Sequence, residues 1–448
     1  MKKSISIIMP VYNAAPFLKQ SIESILNQTF TDFELICIND ASTDDSMKIL
    51  RHYERKDKRI KLFSNTLRRG AAFSRNWGII ESEGKYLSFL DSDDLFDEDM
   101  LQSAYIAAEE NQVDIIMFER KHVSSEDILV KQQIMHSDLF YERYCQRTFE
   151  LKDTTPYEFL IWQVAPADKL YNRKFILSNR LEFQDLSCAN DVYFVCMALM
   201  LSRRLLFLKD NRVMVYARLH DSPSRISYDR DPYCSYLALI KLAEEMRKRG
   251  LFADLCSHFY YRAFGTILGA LKQCRTEERE REFYQFLRKE GIDKIQAAGK
   301  EYYNQLDNYM KNLLEQFKMQ EDDSKWYRRR FGLRLVLNQK KFKEKLEKLF
   351  KDCMMQTKGI GIWGMGANGI SLIEFCREND LKIDMVVDKA KEKQGKIIEG
   401  YQIKAPEDLD EKINVIIITT RYILGDVVKE LSGRRIELID INQFFALY

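Results

Sequence analysis

The 448 residues predict an α/β protein in which two α/β units flank an all-helical stretch. Three changes of texture along the chain predict it. Over residues 1–230, short runs rich in Ile, Leu and Phe alternate with amphipathic segments, the pattern of a parallel sheet wrapped by helices. From 231 to 357 the strand-like runs vanish and charged segments with apolar residues at helical spacing take over. Over 358–448 the alternation returns on a smaller scale.

The elements follow in order. "SISIIMP" reads as the first strand, "PFLKQSIESILNQ" as a helix, "FELICIND" as the second strand, "SMKILRHYERK" as a helix and "IKLF" as the third strand. A helical stretch then leads to "KYLSFLD", a fourth strand. Beyond residue 200, "RLLFLKDNRVMVY" reads as one apolar strand. In the middle region "LALIKLAEEMRKRG" and "KFKEKLEKLFKD" are amphipathic helices, and "GIGIW", "KIDMVV", "NVIIITT" and "RIELIDI" are the strands of the last unit.

Composition excludes several classes. The chain has 70 basic and 68 acidic residues, a net charge of +2, so no global field argues for a nucleic-acid partner. The nine cysteines are scattered, odd in number and without a CxxC pair, which fits reduced thiols in a core better than a disulfide framework. The apolar run in "MKKSISIIMPVYN" is too short for a signal peptide, and "VYFVCMALML" is too short to span a bilayer. A cytoplasmic location is expected. The stretch 325–352 carries eleven Lys or Arg against three Asp or Glu, with Trp326, Tyr327 and Phe331 among them. Such a segment is a solvated helix face or a peripheral contact with the inner face of an anionic membrane.

The candidate site is the acidic run "YLSFLDSDDLFDEDM". "DSDD" follows a strand at its C-terminal end, where open α/β sheets bind ligands. The first strand ends in Pro10, Tyr12 and Asn13, and the second in Asp40 and Asp44, so three loops meet on one rim. Carboxylates there would repel a bound diphosphate, whereas carboxylates around Mg²⁺ or Mn²⁺ would bridge protein to phosphate. They could equally cap and solubilise the next helix.

These residues amount to a resemblance. "SIIMPVYNAAPFLKQSIESILNQTFTDFELICINDASTDDS", followed by "GAAFSRNWGIIESEGKYLSFLDSDD", resembles the family 2 inverting glycosyltransferases of the GT-A fold over residues 1–230. The resemblance implies a transfer from a nucleotide diphosphate sugar, such as a UDP-sugar, to a hydroxyl of a surface glycan or lipid-linked saccharide. It places Pro10, Tyr12, Asn13 and Asp40 on the nucleotide, Arg75 and Asn76 along its pocket, and Asp91 and Ser92 beside the ribose. Asp93 and His220 are implied as ligands of a divalent metal, Mn²⁺ or Mg²⁺. The implied catalytic base is Asp191, in "LSCANDVYFVCMALM", although Asn190 stands where the family usually has glutamate. Asp191 also suits a helix N-terminus. Trp162 and Lys169, between the metal strand and the base, are expected near the acceptor, with Trp162 reading equally as a core residue, and Arg218 and Arg225 near the diphosphate.

The last unit raises a rival function. "GIGIWGMGANGISLIEFC" holds Gly364, Gly366 and Gly369 as GxGxxG between a strand and a helix, and Asp388 ends the next strand, as in a dinucleotide fingerprint. This unit resembles the small Rossmann-like domains appended to sugar-modifying enzymes, and its glycines serve either a dinucleotide or tight helix packing alone. The expected division is 1–230 GT-A domain, 231–357 helical region and 358–448 Rossmann-like domain. Two function classes stay open: a glycosyltransferase, alone or as a homo-oligomer, and a nucleotide-sugar or dinucleotide binding scaffold whose Asn190 marks a degenerate site.

Overall fold

The computed structural model describes residues 3–123, 129–131, 144, 147–162, 164–208, 214–218, 231–274, 276–319, 340–419, 427, 431 and 436–440. The chain forms two compact units, one built from residues 1–135 and 141–314 and the other centred on 315–448. The helices between 231 and 314 therefore belong to the first unit.

The strands of the first unit are β1 (Ile5–Val11), β2 (Phe33–Asn39), β3 (Ile60–Ser64), β4 (Tyr86–Phe89), β5 (Leu95–Phe96), β6 (Ile115–Val123), β7 (Leu129–Lys131), β8 (Lys169–Asn172), β9 (Leu205–Leu208) and β10 (Met214–Arg218). They form one sheet in the order β3-β2-β1-β4-β8-β6-β10-β5, with β7 and β9 both paired to β6. β1, β2, β3 and β4 run parallel, whereas β8 is antiparallel to both β4 and β6. All seven residues of β1 and of β2 are buried, as continuous apolar runs covered on both faces should be. Pro10 lacks an N–H, yet it costs no ladder bond toward β4, because that pairing ends at Ile8 opposite Phe89.

The helices are α1 (Ala15–Leu26), α2 (Ser46–Lys56), α3 (Ala71–Glu81), α4 (Met100–Asn111), α5 (Pro156–Ile161), α6 (Arg173–Ser178), α7 (Asn190–Leu201), α8 (Tyr233–Lys248), α9 (Phe252–Gln273), α10 (Glu277–Phe286), α11 (Ile292–Ala298) and α12 (Asn308–Met319). α3 lies on β1 and β2 so tightly that a Cβ at Gly78 would come within 2.4 Å of the Ile8 side chain. α7 is buried over Val192–Met200, the mark of a helix covered all round. It is covered in part by α8, while α9 packs against α5.

The second unit contains α13 (Lys340–Met355), β11 (Gly359–Trp363), α14 (Ala367–Glu378), β12 (Met385–Val387), β13 (Ile397–Ile398), β14 (Tyr401–Lys404), β15 (Ile413–Ile418) and β16 (Glu437–Asp440). Its sheet order is β13-β14-β12-β11-β15-β16, parallel except for the antiparallel edge strand β13. The β13–β14 hairpin turns through Glu399 and Gly400, both at positive φ, the combination a tight two-residue hairpin turn requires.

Candidate active site

The site is built where β1, β2 and β4 end. After β1 the chain turns through Asn13 at φ 48, and its side chain locks the loop after β2: Asn13 Oδ1 accepts from the Thr43 amide at 2.8 Å. Ser42 Oγ, Ser46 Oγ and Asp44 Oδ2 in turn accept from the amides of Asn13, Ala14 and Ala15. Burial works to raise the Asp44 carboxyl, but its bonds from Ser46 and Ala15 outweigh this and hold it below the usual carboxylate range. Asn13 and Asp44 thus stitch the two loops together.

Asp40 is 2% exposed and receives three donors. Oδ1 accepts from Asn65 Nδ2 at 2.8 Å and the Arg69 amide at 2.7 Å, and Oδ2 accepts from the Gly70 amide at 2.8 Å. The carboxylate therefore holds the loop between β3 and α3 in place. From that loop the Arg68 guanidinium lies 4.1 Å over the ring of Tyr12.

The aspartate loop after β4 is a turn in which the Asp94 amide donates to the Asp91 carbonyl at 3.0 Å. Asp91, Ser92 and Asp93 are half-buried and Asp94 is buried. Arg75, on α3, reaches across the sheet edge with its side chain only 8% exposed. Its Nη2 donates to Asp91 Oδ1 at 2.6 Å and its Nη1 to Asn190 Oδ1 at 3.0 Å. One guanidinium thus joins the aspartate loop to the first residue of α7, where Asp191 follows. Asn76 braces the same junction: Nδ2 donates to the Phe183 carbonyl and Oδ1 accepts from the Phe183 amide, at 2.8 and 2.7 Å. The Phe183 ring lies 5.2 Å under Arg75 and stacks on Phe194 at 4.0 Å. The side chains of Arg75 and Asn76 reach partners 115 and 107 residues away, contacts that no local pattern reveals.

Asp191 lies in the first turn of α7, behind Ala189 at φ 52. A carboxylate suits a helix N-terminus. The phenol of Tyr171, 0% exposed, is driven well above its ordinary value by burial, with the charges of Asp168 and Asp191 adding to the effect.

On the acceptor side Trp162 and Lys169 are both buried. Trp162 is 3% exposed and packs edge-on against Phe149 and Phe159, with its carbonyl accepting from Arg262, so it is core. Lys169 is 2% exposed and held by Asp168 and by the Ala165 carbonyl at 2.9 Å. A lysine can be buried there only because a carboxylate lies beside it. Arg218 ends β10, and only its backbone is described. His220, Arg225, Trp326, Tyr327 and Phe331 lie outside the described residues.

The donor set suits a hard divalent cation. Asp91 and Asp93 present carboxylate oxygens on a half-buried turn, the ligand type that Mg²⁺ and Mn²⁺ prefer. Among the described residues no group of three His, Cys, Asp or Glu side chains forms a complete cage. A bound ion would therefore draw its remaining ligands from phosphate, from water and from side chains outside this turn.

In the second unit the glycine loop has a different use for its acid. Asp388 Oδ2 accepts from the Met365 amide inside that loop at 2.6 Å and from Lys393 Nζ at 3.1 Å, while Oδ1 accepts from the Ala390 amide at 2.8 Å. The carboxylate of the fingerprint thus accepts from the loop itself and from its own turn. Gly369 is required for packing, since a Cβ there would fall 2.0 Å from the Gly364 carbonyl oxygen. The expectation of a dinucleotide at Gly364, Gly366, Gly369 and Asp388 finds no support in this arrangement.

Comparison with known proteins places this geometry. Residues 6–166 match the glycosyl transferase family 2 profile, and residues 297–422 match the profile called C-methyltransferase C-terminal domain. An uncharacterized glycosyltransferase of Haemophilus influenzae is 50% identical over 98 residues, covering 22% of this chain and 39% of its own length. Glycosyltransferase GlyG of Streptococcus pneumoniae is 26% identical over 51% of this chain and 75% of its own. This chain thus spans well under half the length of the first relative. Among solved structures, Staphylococcus aureus TarS 1–349 superposes with a TM-score of 0.55 at 20% identity, covering 70% of this chain and 87% of that one. Its complex with UDP-GlcNAc gives 0.53 at 21% identity. The first unit has the mixed α/β fold of a GT-A-type glycosyltransferase. More particularly, the N-terminal part of the chain is a glycosyl transferase family 2 domain, with a second α/β unit appended. Among the described residues no helix is long and apolar enough to cross a membrane.

Proposed function

We propose that the first unit is an inverting, metal-dependent hexosyltransferase that moves a sugar from a nucleotide diphosphate donor to an acceptor hydroxyl of a surface glycan or lipid-linked saccharide. The observation that carries this reading is the Arg75 bridge, which brings the aspartate loop after β4 and the Asp191 helix onto one rim. UDP is the favoured nucleotide, since a protein of the same fold binds UDP-GlcNAc. Residues 1–230 would carry the catalytic elements, with the helices to 314 as their support.

In this reading Tyr12 and the loop held by Asp40 receive the base, and Asp91 and Ser92 face the ribose. Asp93, together with His220, would hold Mn²⁺ or Mg²⁺, whose charge would offset that of a leaving diphosphate. Asp191 accepts the proton of the acceptor hydroxyl as the anomeric carbon gains positive charge. One base opposite the leaving group gives direct displacement, so the anomeric configuration inverts. The test is NMR of the product formed from an α-linked UDP-sugar in Mn²⁺: a β-linked product supports the reading, and an α-linked one overturns it.

A further inference from the structure

We propose that Asn190 is a positioning residue. Its neutral amide, held by Arg75, couples the aspartate loop to the helix bearing Asp191 without placing a second negative charge on that arginine. The inference rests on the reading of Asp191 as the base, and it gives a physical reason for asparagine where the family usually has glutamate.

The geometry of the strut is specific. Arg75 is nearly buried and divides its two Nη groups between Asp91 Oδ1 and Asn190 Oδ1. Its Nε is buried and meets no acceptor among the described residues. The pair Arg75–Asp91 is therefore electrically balanced, and the amide adds an acceptor without adding charge. Asn190 is fixed from the other side as well: Nδ2 donates to the Leu186 carbonyl at 3.4 Å, and its own carbonyl accepts from the Gln184 amide at 3.3 Å. A carboxylate at 190 would lose the donor to Leu186 and would compete with Asp91 for one guanidinium. The charges around it are Arg75 and Asp91 on one side and Asp191 on its own helix, and Arg75, Asp191 and Asp168 all act on the buried, neutral Tyr171. In that company another anion would favour the protonated form of its neighbours.

The experiment compares Asn190→Ala and Asn190→Asp with the wild-type full-length protein, reading kcat, donor KM, the pH–rate profile and melting temperature in Mn²⁺. Asn190→Ala leaves Arg75 on Asp91, so donor KM should stay within about twofold while kcat falls roughly tenfold or more, the scale of a misplaced base. Its pH profile should not move. Asn190→Asp keeps the size and the acceptor, so its acidic limb should shift upward by about one pH unit. A rise in donor KM with kcat intact, or an unshifted profile in Asn190→Asp, would overturn the proposal. A wild-type protein inactive with every nucleotide sugar rejects the transfer reading instead. The strut is then decided by a double-mutant cycle of Asp91→Asn and Asn190→Ala in melting temperature. Loss in the double variant at least about 2 °C smaller than the sum supports the coupling, and strict additivity refutes it.

Discussion

Asp40 in the first unit and Asp388 in the second occupy equivalent places and behave alike. Each ends a parallel strand beside a central one, each is nearly buried, and each accepts at least one backbone amide from a glycine-bearing loop. The units differ in what lies beside that acid. In the first, β4, on the other side of the central strand β1, ends in a second acidic turn, Asp91 to Asp94, and Arg75 ties that turn to the start of α7. In the second, Lys393 closes on Asp388 and the glycine loop is bound to its own sheet. An acid at a strand end thus makes a scaffold, and a site needs a further set of charged groups that the scaffold holds at the rim.

The largest effect should come from the one carboxylate that the first unit adds at the helix start. Asp191→Asn keeps the shape and removes the basicity, so transfer should fall by about a hundredfold or more with donor affinity nearly unchanged. Steady-state kinetics beside donor titration checks it, and full activity in the variant would remove Asp191 from the chemistry. Next in size is the metal. Nucleotide binding should be lost in excess EDTA and in Asp93→Ala, and isothermal titration showing equal affinity with and without chelator would contradict the role given to the aspartate loop.

Asp40→Asn tests the scaffold half of the comparison. It deprives the Arg69 and Gly70 amides of a charged acceptor, so the loop before α3 should loosen. Donor KM should rise roughly tenfold with kcat within about threefold, at a stability cost of about 1–3 kcal/mol. A kcat loss without a KM change would instead put Asp40 in the chemistry.

Much of this architecture was legible in the chain, because continuous apolar runs bounded by turn residues make β1, β2, β4, β11 and β15 self-announcing. What escaped has physical causes. β8 is spelled Lys169–Asn172 and reads as polar, since its lysine is buried only through Asp168. The run after residue 200 reads as one strand but forms β9 and β10, both pairing with β6. The β13–β14 hairpin turns on Glu399-Gly400 rather than on an Asn-Gly or Asp-Gly pair. Trp162 reads equally as a sugar-stacking ring or as core, and its burial beside α5 and α9 decides for core. At the site, the positions of Asp40, Asp91 and Asp191 at element ends follow from the pattern. The partners of Arg75 and Asn76, more than a hundred residues away, do not.

The smallest effect is expected from Asp388→Asn, and it separates the two units most directly. Burial acts to raise the Asp388 carboxyl, but the amides of Ala390 and Met365 and the Lys393 ammonium outweigh it, so the folded value lies below the unfolded one. A depressed carboxyl contributes stability above its unfolded value, near pH 4, and that contribution is lost as pH falls through the folded value. The variant should therefore unfold its second unit more easily at pH 7, by about 1–3 kcal/mol, and match the wild type near pH 2. Urea unfolding followed by Trp363 fluorescence at the two pH values reads this, because Trp363 lies in the core of that unit. Sugar transfer by the first unit should stay at the wild-type rate. A variant that keeps its stability at pH 7 but loses transfer would show that the second unit's glycine loop serves catalysis, and the distinction between scaffold acid and site acid would fall.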